Sequence, residues 1–115
     1  MRDRAAVRER YLRDGLPIRL GGLAANLARV SSLSDYAAAC EVVDSLLDES
    51  KFFIEWIAAE EDAEFAGELV ELQVQLARWQ YDLRAIWPDP VQRQSVAEQS
   101  RRWSERLLRR SGLLS

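Results

Sequence analysis

Carboxylate side chains crowd one short stretch near the middle of the sequence. Residues 60–64 read Glu-Glu-Asp-Ala-Glu, and Glu68 and Glu71 follow one and two helical turns later. Clusters of this kind can hold Mg²⁺ and promote hydrolysis, because hard divalent cations prefer oxygen ligands. Histidine is absent from the sequence, which excludes Ser-His and Cys-His nucleophile pairs, the usual zinc sites and histidine-containing di-iron sites. Carboxylate chemistry is therefore the only obvious catalytic option.

Two acidic motifs give the chain a partial resemblance to an enzyme family. Glu60-Glu61-x-x-Glu64 and Glu41-x-x-Asp44 are similar to the Glu-Glu-x-x-Glu and Glu-x-x-Asp groups of the all-α nucleotide pyrophosphohydrolases of the MazG type. The resemblance implies carboxylate and magnesium-dependent hydrolysis of a nucleotide. The order of the motifs is reversed here, however, and Asp44 lies about 24 Å along a helix from the other motif. We therefore interpret the cluster as an acidic helix turn, expect no cofactor, and keep the hydrolase as an alternative.

Arginines dominate the C-terminal part of the chain and form the second group that could bind a ligand. They could contact phosphates while Trp103 stacks on a base, which is typical of single-stranded nucleic-acid binding. Against this, Trp103 lies on the apolar side of its own helix, and the whole chain carries a net charge of −3. Nucleic-acid binding is therefore an alternative function. Its candidate contacts are Arg101, Arg102, Arg106, Arg109 and Arg110.

The elements that must position these groups are helices, because apolar residues recur at alternating spacings of three and four. Two such seams pair antiparallel about a common midpoint at residue 61, which predicts a helical hairpin with a tight turn near residues 60–62. The first seam is Tyr36, Ala39, Val43, Leu46, Ser50, Phe53 and Ile57. The second is Phe65, Leu69, Leu72, Leu76, Trp79, Leu83 and Ile86.

The hairpin helices are predicted from Asp35 to about Ala59 and from about Ala63 to Ile86, with Ser34 as the N-cap of the first. The turn between them contains neither glycine nor proline. The two helices could therefore also continue as one rod that pairs between two chains.

Three further helices are predicted around the hairpin. Residues 3–13 form a short first helix, and a second follows from Pro17 to about Val30. The last helix runs from Pro90 to about residue 110, with Asp89 as N-cap and Gly112 as terminator. The sequence thus predicts one all-α domain: an antiparallel, up-down four-helix bundle over residues 17–111, an appended helix within residues 1–16, and a tail at residues 112–115.

Both hairpin helices carry more apolar residues than one seam needs. The fourth helix has a second apolar stripe, which other helices must cover if it is not to be exposed. This stripe consists of Ala66, Val70, Val74, Ala77 and Tyr81. On the third helix, Phe52 and Trp56 form an aromatic edge that helix two, helix five or a second chain could cover.

These surplus residues predict a protein interface. Trp87, at the open end of the hairpin, is expected to be exposed as well. Self-association is the simplest way to cover such stripes. The candidate interface residues are Phe52, Trp56, Val70, Val74 and Trp87.

Charge segregation supports the same prediction. Residues 1–29 and 72–115 are each net positive, whereas residues 30–71 are strongly acidic. Such blocks complement each other either within a monomer or across a dimer.

The remaining composition indicates a cellular setting. Cys40 is the only cysteine, which favours a reducing compartment and a small buried thiol. The sequence contains neither a signal-peptide pattern nor a stretch apolar enough to cross a membrane. The preference for arginine over lysine suggests a bacterial source. We therefore expect a cytoplasmic bacterial adaptor or regulatory protein without catalytic activity, bound to itself as a homodimer, to another protein, or to both.

Overall fold

The computed structural model describes residues 3–112, and within that range the protein is all-helical. The fold class predicted from the sequence is thereby confirmed at the level of secondary structure. No helix among residues 3–112 combines the length and apolar character needed to cross a lipid bilayer. The helices are α1 (Arg4–Arg13), α2 (Leu16–Leu33), a 3₁₀ turn (Ala37–Ala39), α3 (Cys40–Ala58), α4 (Ala63–Ile86) and α5 (Pro90–Ser111).

α3 and α4 form the predicted hairpin within a single chain. They pack on each other along their lengths and are joined by residues 59–62. All seven predicted seam residues of α4 are buried. The Asp62 carboxylate starts α4 by accepting a hydrogen bond from the backbone N–H of Phe65 at 2.9 Å, which satisfies a donor that the first helical turn leaves free.

The start of α3 differs from the sequence prediction. α2 continues to Leu33, and the Ser34 hydroxyl donates to the Ser31 carbonyl at 2.7 Å instead of capping the next helix. α3 therefore begins only at Cys40. Tyr36, predicted to open the α3 seam, precedes the helix and is 63% exposed, so the seam begins at Ala39.

The closest helix pair is α2 with α5, and its contact is made by short side chains. Ser100 and Ser104 of α5 are buried, as is Ala24 of α2. The Ser104 hydroxyl donates to the Ala24 carbonyl at 2.7 Å. Because these side chains are small, the two backbones approach each other along most of their length.

α4 and α5 approach each other much less closely. Few of their backbone positions lie near each other, and polar side chains such as Gln75 and Gln99 bridge the gap. Both predicted ends of α5 are confirmed. The Asp89 carboxylate accepts a hydrogen bond from the Val91 backbone N–H at 2.9 Å, and Gly112 adopts a left-handed conformation with φ of 79°. Beyond Gly112, the predicted tail lies outside the described residues.

Candidate protein interface

The outward side of α4 presents uncharged side chains to solvent. Val70 and Val74 are 49% and 47% exposed, and Tyr81 is 90% exposed. Ala77 is exposed as well. These four residues are spaced by four, three and four positions, so they share the side of the helix that faces away from the buried seam. We name Val70, Val74, Ala77 and Tyr81 the α4 outer face.

The expectation that other helices cover this stripe is wrong for four of its five residues, the exception being Ala66, which is partly buried. α4 packs on α3 along its seam and is linked to α5 by polar side chains at its flank, which leaves the outer face open. A groove between α4 and α5 runs along one edge of this face. Its lining residues are Glu71, Val74, Gln75, Arg78, Trp79 and Trp103.

The aromatic edge of α3 is contacted by α1, which was not among the helices predicted to cover it. The Arg4 guanidinium lies 3.6 Å from the centre of the Phe52 ring. Tyr11 contacts Trp56 with a ring-centre separation of 5.9 Å, and both Phe52 and Trp56 are partly buried. The structure therefore separates the candidate interface residues: Phe52 and Trp56 contact α1, whereas the exposed valines lie on α4.

Trp87 is the candidate interface residue that the structure contradicts. Its side chain is only 1% exposed. Its indole N–H donates to the backbone carbonyl of Tyr36 at 2.9 Å, so the end of the hairpin is closed by the segment that precedes α3. Trp87 therefore belongs to the core and is unavailable to a partner.

The acidic turn between α3 and α4 is neutralised by arginines from other helices. Arg19 of α2, itself 5% exposed, donates two hydrogen bonds to the Glu60 carboxylate at 2.6 and 2.7 Å. These bonds lower the pKa of Glu60. Arg110 of α5 pairs with both Glu61 and Asp62. The pKa of Asp62 is lowered by the backbone N–H that it caps and by Arg110.

This arrangement bears directly on the metal hypothesis. A carboxylate that accepts hydrogen bonds from a guanidinium is occupied by that pairing and is less available as a metal ligand. Among residues 3–112, no three histidine, cysteine, aspartate or glutamate side chains lie close enough together to hold a metal ion. The acidic turn is best explained as the site where α2 and α5 form ion pairs with the hairpin, through Arg19 and Arg110.

The candidate nucleic-acid contacts on α5 are all exposed, but they do not form one free basic surface. Arg102 pairs with Glu98, Arg106 with Glu68, and Arg110 with the acidic turn. Within the described chain, Arg101 and Arg109 have no ion pair, and they line different grooves. Arg106 and Arg110 therefore connect α5 to acids of the hairpin, whereas the Arg102 pair lies within α5 itself.

Two charged residues beside the α4 outer face are not among the candidates predicted from the sequence. Glu71 and Arg78 are exposed and line the same groove as Val74. Their spacing of seven residues, which places opposite charges on one side of a helix two turns apart, was the available signal.

Comparison of the chain with protein-family models, curated proteins and solved structures finds no match.

Proposed function

We propose that this protein acts through protein contacts, as a small bacterial adaptor or regulator without catalytic activity, and that it forms a homodimer through the α4 outer face. The exposure of Val70, Val74 and Tyr81 on one side of one helix carries this proposal. A contiguous apolar strip of this kind is stabilised when a second protein removes it from water. On the grounds of composition, we place the protein in the cytoplasm.

The proposed architecture is an antiparallel up-down bundle of α2 to α5 that is incomplete along one edge. Three helix pairs support it: α2 packs on α5 and α3, and α3 packs on α4. The fourth pair, α4 with α5, is linked mainly by side chains such as Gln75 with Gln99. A partner seated on α4 would cover the side of the bundle that its own helices leave most open.

Protein contacts are favoured over the two alternatives by how the charged residues are used. The hydrolase alternative needs free carboxylates, but Glu60, Glu61 and Asp62 all pair with arginines. The nucleic-acid alternative needs free guanidinium groups, but Arg106 and Arg110 are paired with acids of the hairpin. On the α4 outer face, in contrast, Val70, Val74 and Tyr81 are exposed in the described range 3–112.

The expected dimer is weak and concentration-dependent. A strip along 24 residues of helix is about 36 Å long and about 10 Å wide, so two copies would bury on the order of 700 Å². Stable complexes usually bury at least about 1,200 Å². We therefore expect a dissociation constant in the micromolar range or above. Sedimentation velocity or light scattering at protein concentrations from about 1 µM to about 1 mM would measure it.

A matched pair of variants tests the surface. Val74→Glu places a charge in the proposed interface and should weaken association at least about tenfold, because burying a carboxylate without a partner is costly. Val42→Glu is the control, since Val42 lies on α3 and is also 47% exposed. Equal effects of both variants, or a monomeric mass at every concentration of the unchanged protein, would contradict self-association through α4.

A further inference from the structure

Glu71 and Arg78 give the α4 outer face a charge pattern that can complement itself. Both side chains are exposed, and both line the groove that contains Val74. Neither has an ion pair with another residue of the described range 3–112, although three of the six arginines of α5 do. They lie two helical turns apart, a separation of about 10 Å along the axis. Two unpaired opposite charges thus lie on the same side of an apolar strip.

We infer that the protein forms an antiparallel homodimer through α4, with the two-fold axis between Val74 and Gln75, so that Glu71 of each copy faces Arg78 of the other. This inference rests on the proposed function and specifies its partner and register. In a two-fold interface, any residue that contacts a second position is contacted by that position in return. A midpoint between residues 74 and 75 therefore produces the Glu71 to Arg78 contact twice.

Antiparallel orientation follows from the same two charges. Side chains on one flank of a helix face the same flank of the second helix when the two run antiparallel about a two-fold axis. In a parallel pair about a two-fold axis, this flank of one helix would instead lie beside the opposite flank of the other, so Glu71 and Arg78 would not meet. Only the antiparallel register brings the two flanks together and pairs opposite charges at both positions, which favours that orientation.

The size of the outer-face residues fits this register as well. Tyr81 projects into solvent, and in the antiparallel pair it comes opposite Gly67 of the second copy, within about one residue of the ideal position. A Cβ atom built on Gly67 would have no other atom within 4 Å. The glycine therefore leaves room for an aromatic ring, and the two copies can approach closely around the valines at the axis.

Cysteine cross-linking tests the register directly. In a Cys40→Ser background, Val74→Cys should form a disulfide-linked dimer on mild oxidation, because the two copies of this position meet at the axis. Gly67→Cys and Tyr81→Cys should each fail to link to themselves, since position 67 lies about 22 Å along the axis from its own copy. Mixing the Gly67→Cys and Tyr81→Cys proteins should restore the link.

Charge reversal provides a second test. Glu71→Arg and Arg78→Glu should each raise the dissociation constant about tenfold, because each change replaces two attractions with two repulsions. The double variant should return to within about threefold of the unchanged protein. Additive losses in the double variant would contradict the Glu71 to Arg78 pairing.

The outcomes separate this inference from the proposed function. Self-linking of all three single-cysteine variants would show a parallel dimer and overturn the antiparallel register. A dimer that is sensitive to Val74→Glu but does not link at position 74 would retain the α4 interface and overturn the position of the axis. A monomer at all concentrations would overturn both.

Discussion

Tyr11 attaches α1 to the rest of the protein. Replacing it with phenylalanine measures how much its hydroxyl contributes to the docking of α1. α1 contains no buried residue. The Tyr11 ring stacks on Phe53 with a centre separation of 3.9 Å and an interplanar angle of 6°. Its hydroxyl donates to the Arg19 carbonyl at 2.6 Å. Tyr11→Phe keeps the stack and removes only this hydrogen bond.

The expected effect is local and modest. One hydrogen bond contributes about 1 kcal/mol net, which changes an equilibrium by about fivefold. Because α1 packs on the outside of the protein, it should open without unfolding the hairpin. Hydrogen exchange of the α1 amides should therefore become about fivefold faster in Tyr11→Phe, while exchange in α4 stays unchanged. Arg8→Ala, at an exposed position of the same helix, should change neither rate.

A pH titration provides an independent measurement. Burial raises the pKa of the Tyr11 hydroxyl. A group whose pKa is raised in the docked state supports docking below its ordinary pKa, near 10 for tyrosine, and loses that contribution as pH rises further. Undocking of α1 should therefore increase above about pH 10 in the unchanged protein and much less in Tyr11→Phe.

Two results would refute this reasoning. If Tyr11→Phe left exchange in α1 unchanged, the hydrogen bond to Arg19 would contribute nothing to docking. If exchange in α1 and α4 rose equally, α1 would open only when the whole protein unfolds.

Two further predictions concern the core and the acidic turn. Trp87→Phe should lower the free energy of unfolding in urea by about 2 kcal/mol, because it removes the hydrogen bond to Tyr36 and leaves a cavity; a loss below about 0.5 kcal/mol would contradict the buried role of the indole. The pKa of Asp62 is lowered by the backbone N–H of Phe65 and by Arg110, so its contribution to stability is present above the ordinary carboxyl pKa and is lost as pH falls below about 4. Asp62→Asn keeps a side chain that can cap α4 but does not titrate. Its thermal midpoint should therefore fall less on acidification than that of the unchanged protein. An identical dependence of the midpoint on pH in both proteins would show that Asp62 does not contribute to the loss of stability in acid.

Periodicity in the sequence was sufficient to predict the hairpin. Burial of an amphipathic helix repeats every three to four residues, and the α4 seam from Phe65 to Ile86 follows that spacing without a break. The turn at residues 59–62 follows from the same pattern, because the two seams share one midpoint. Local capping signals also predicted both ends of α5, at Asp89 and Gly112.

Contacts between residues far apart in the sequence could not be predicted in this way. Trp87 lies four residues after Leu83 on the seam side of α4, but the sequence does not indicate that its indole bonds to the backbone carbonyl of Tyr36, 51 positions earlier. The pairing of Arg19 with Glu60 spans 41 positions, and charge blocks indicate only that some such pairing occurs. Of the residues predicted for an interface, Val70 and Val74 are exposed, whereas the sequence does not indicate that α1 contacts Phe52 and Trp56.

The serine-lined contact between α2 and α5 has a consequence for synthesis on the ribosome. Ser104 and Ala24, which are joined by a hydrogen bond, lie 80 positions apart. The hairpin is a local structure and can form as soon as α4 has emerged, whereas α2 must wait for α5 before it can bury its second side. We therefore expect nascent chains that end before α5 to expose the apolar residues of α2, and this stage of translation to be the one at which the protein most needs a chaperone.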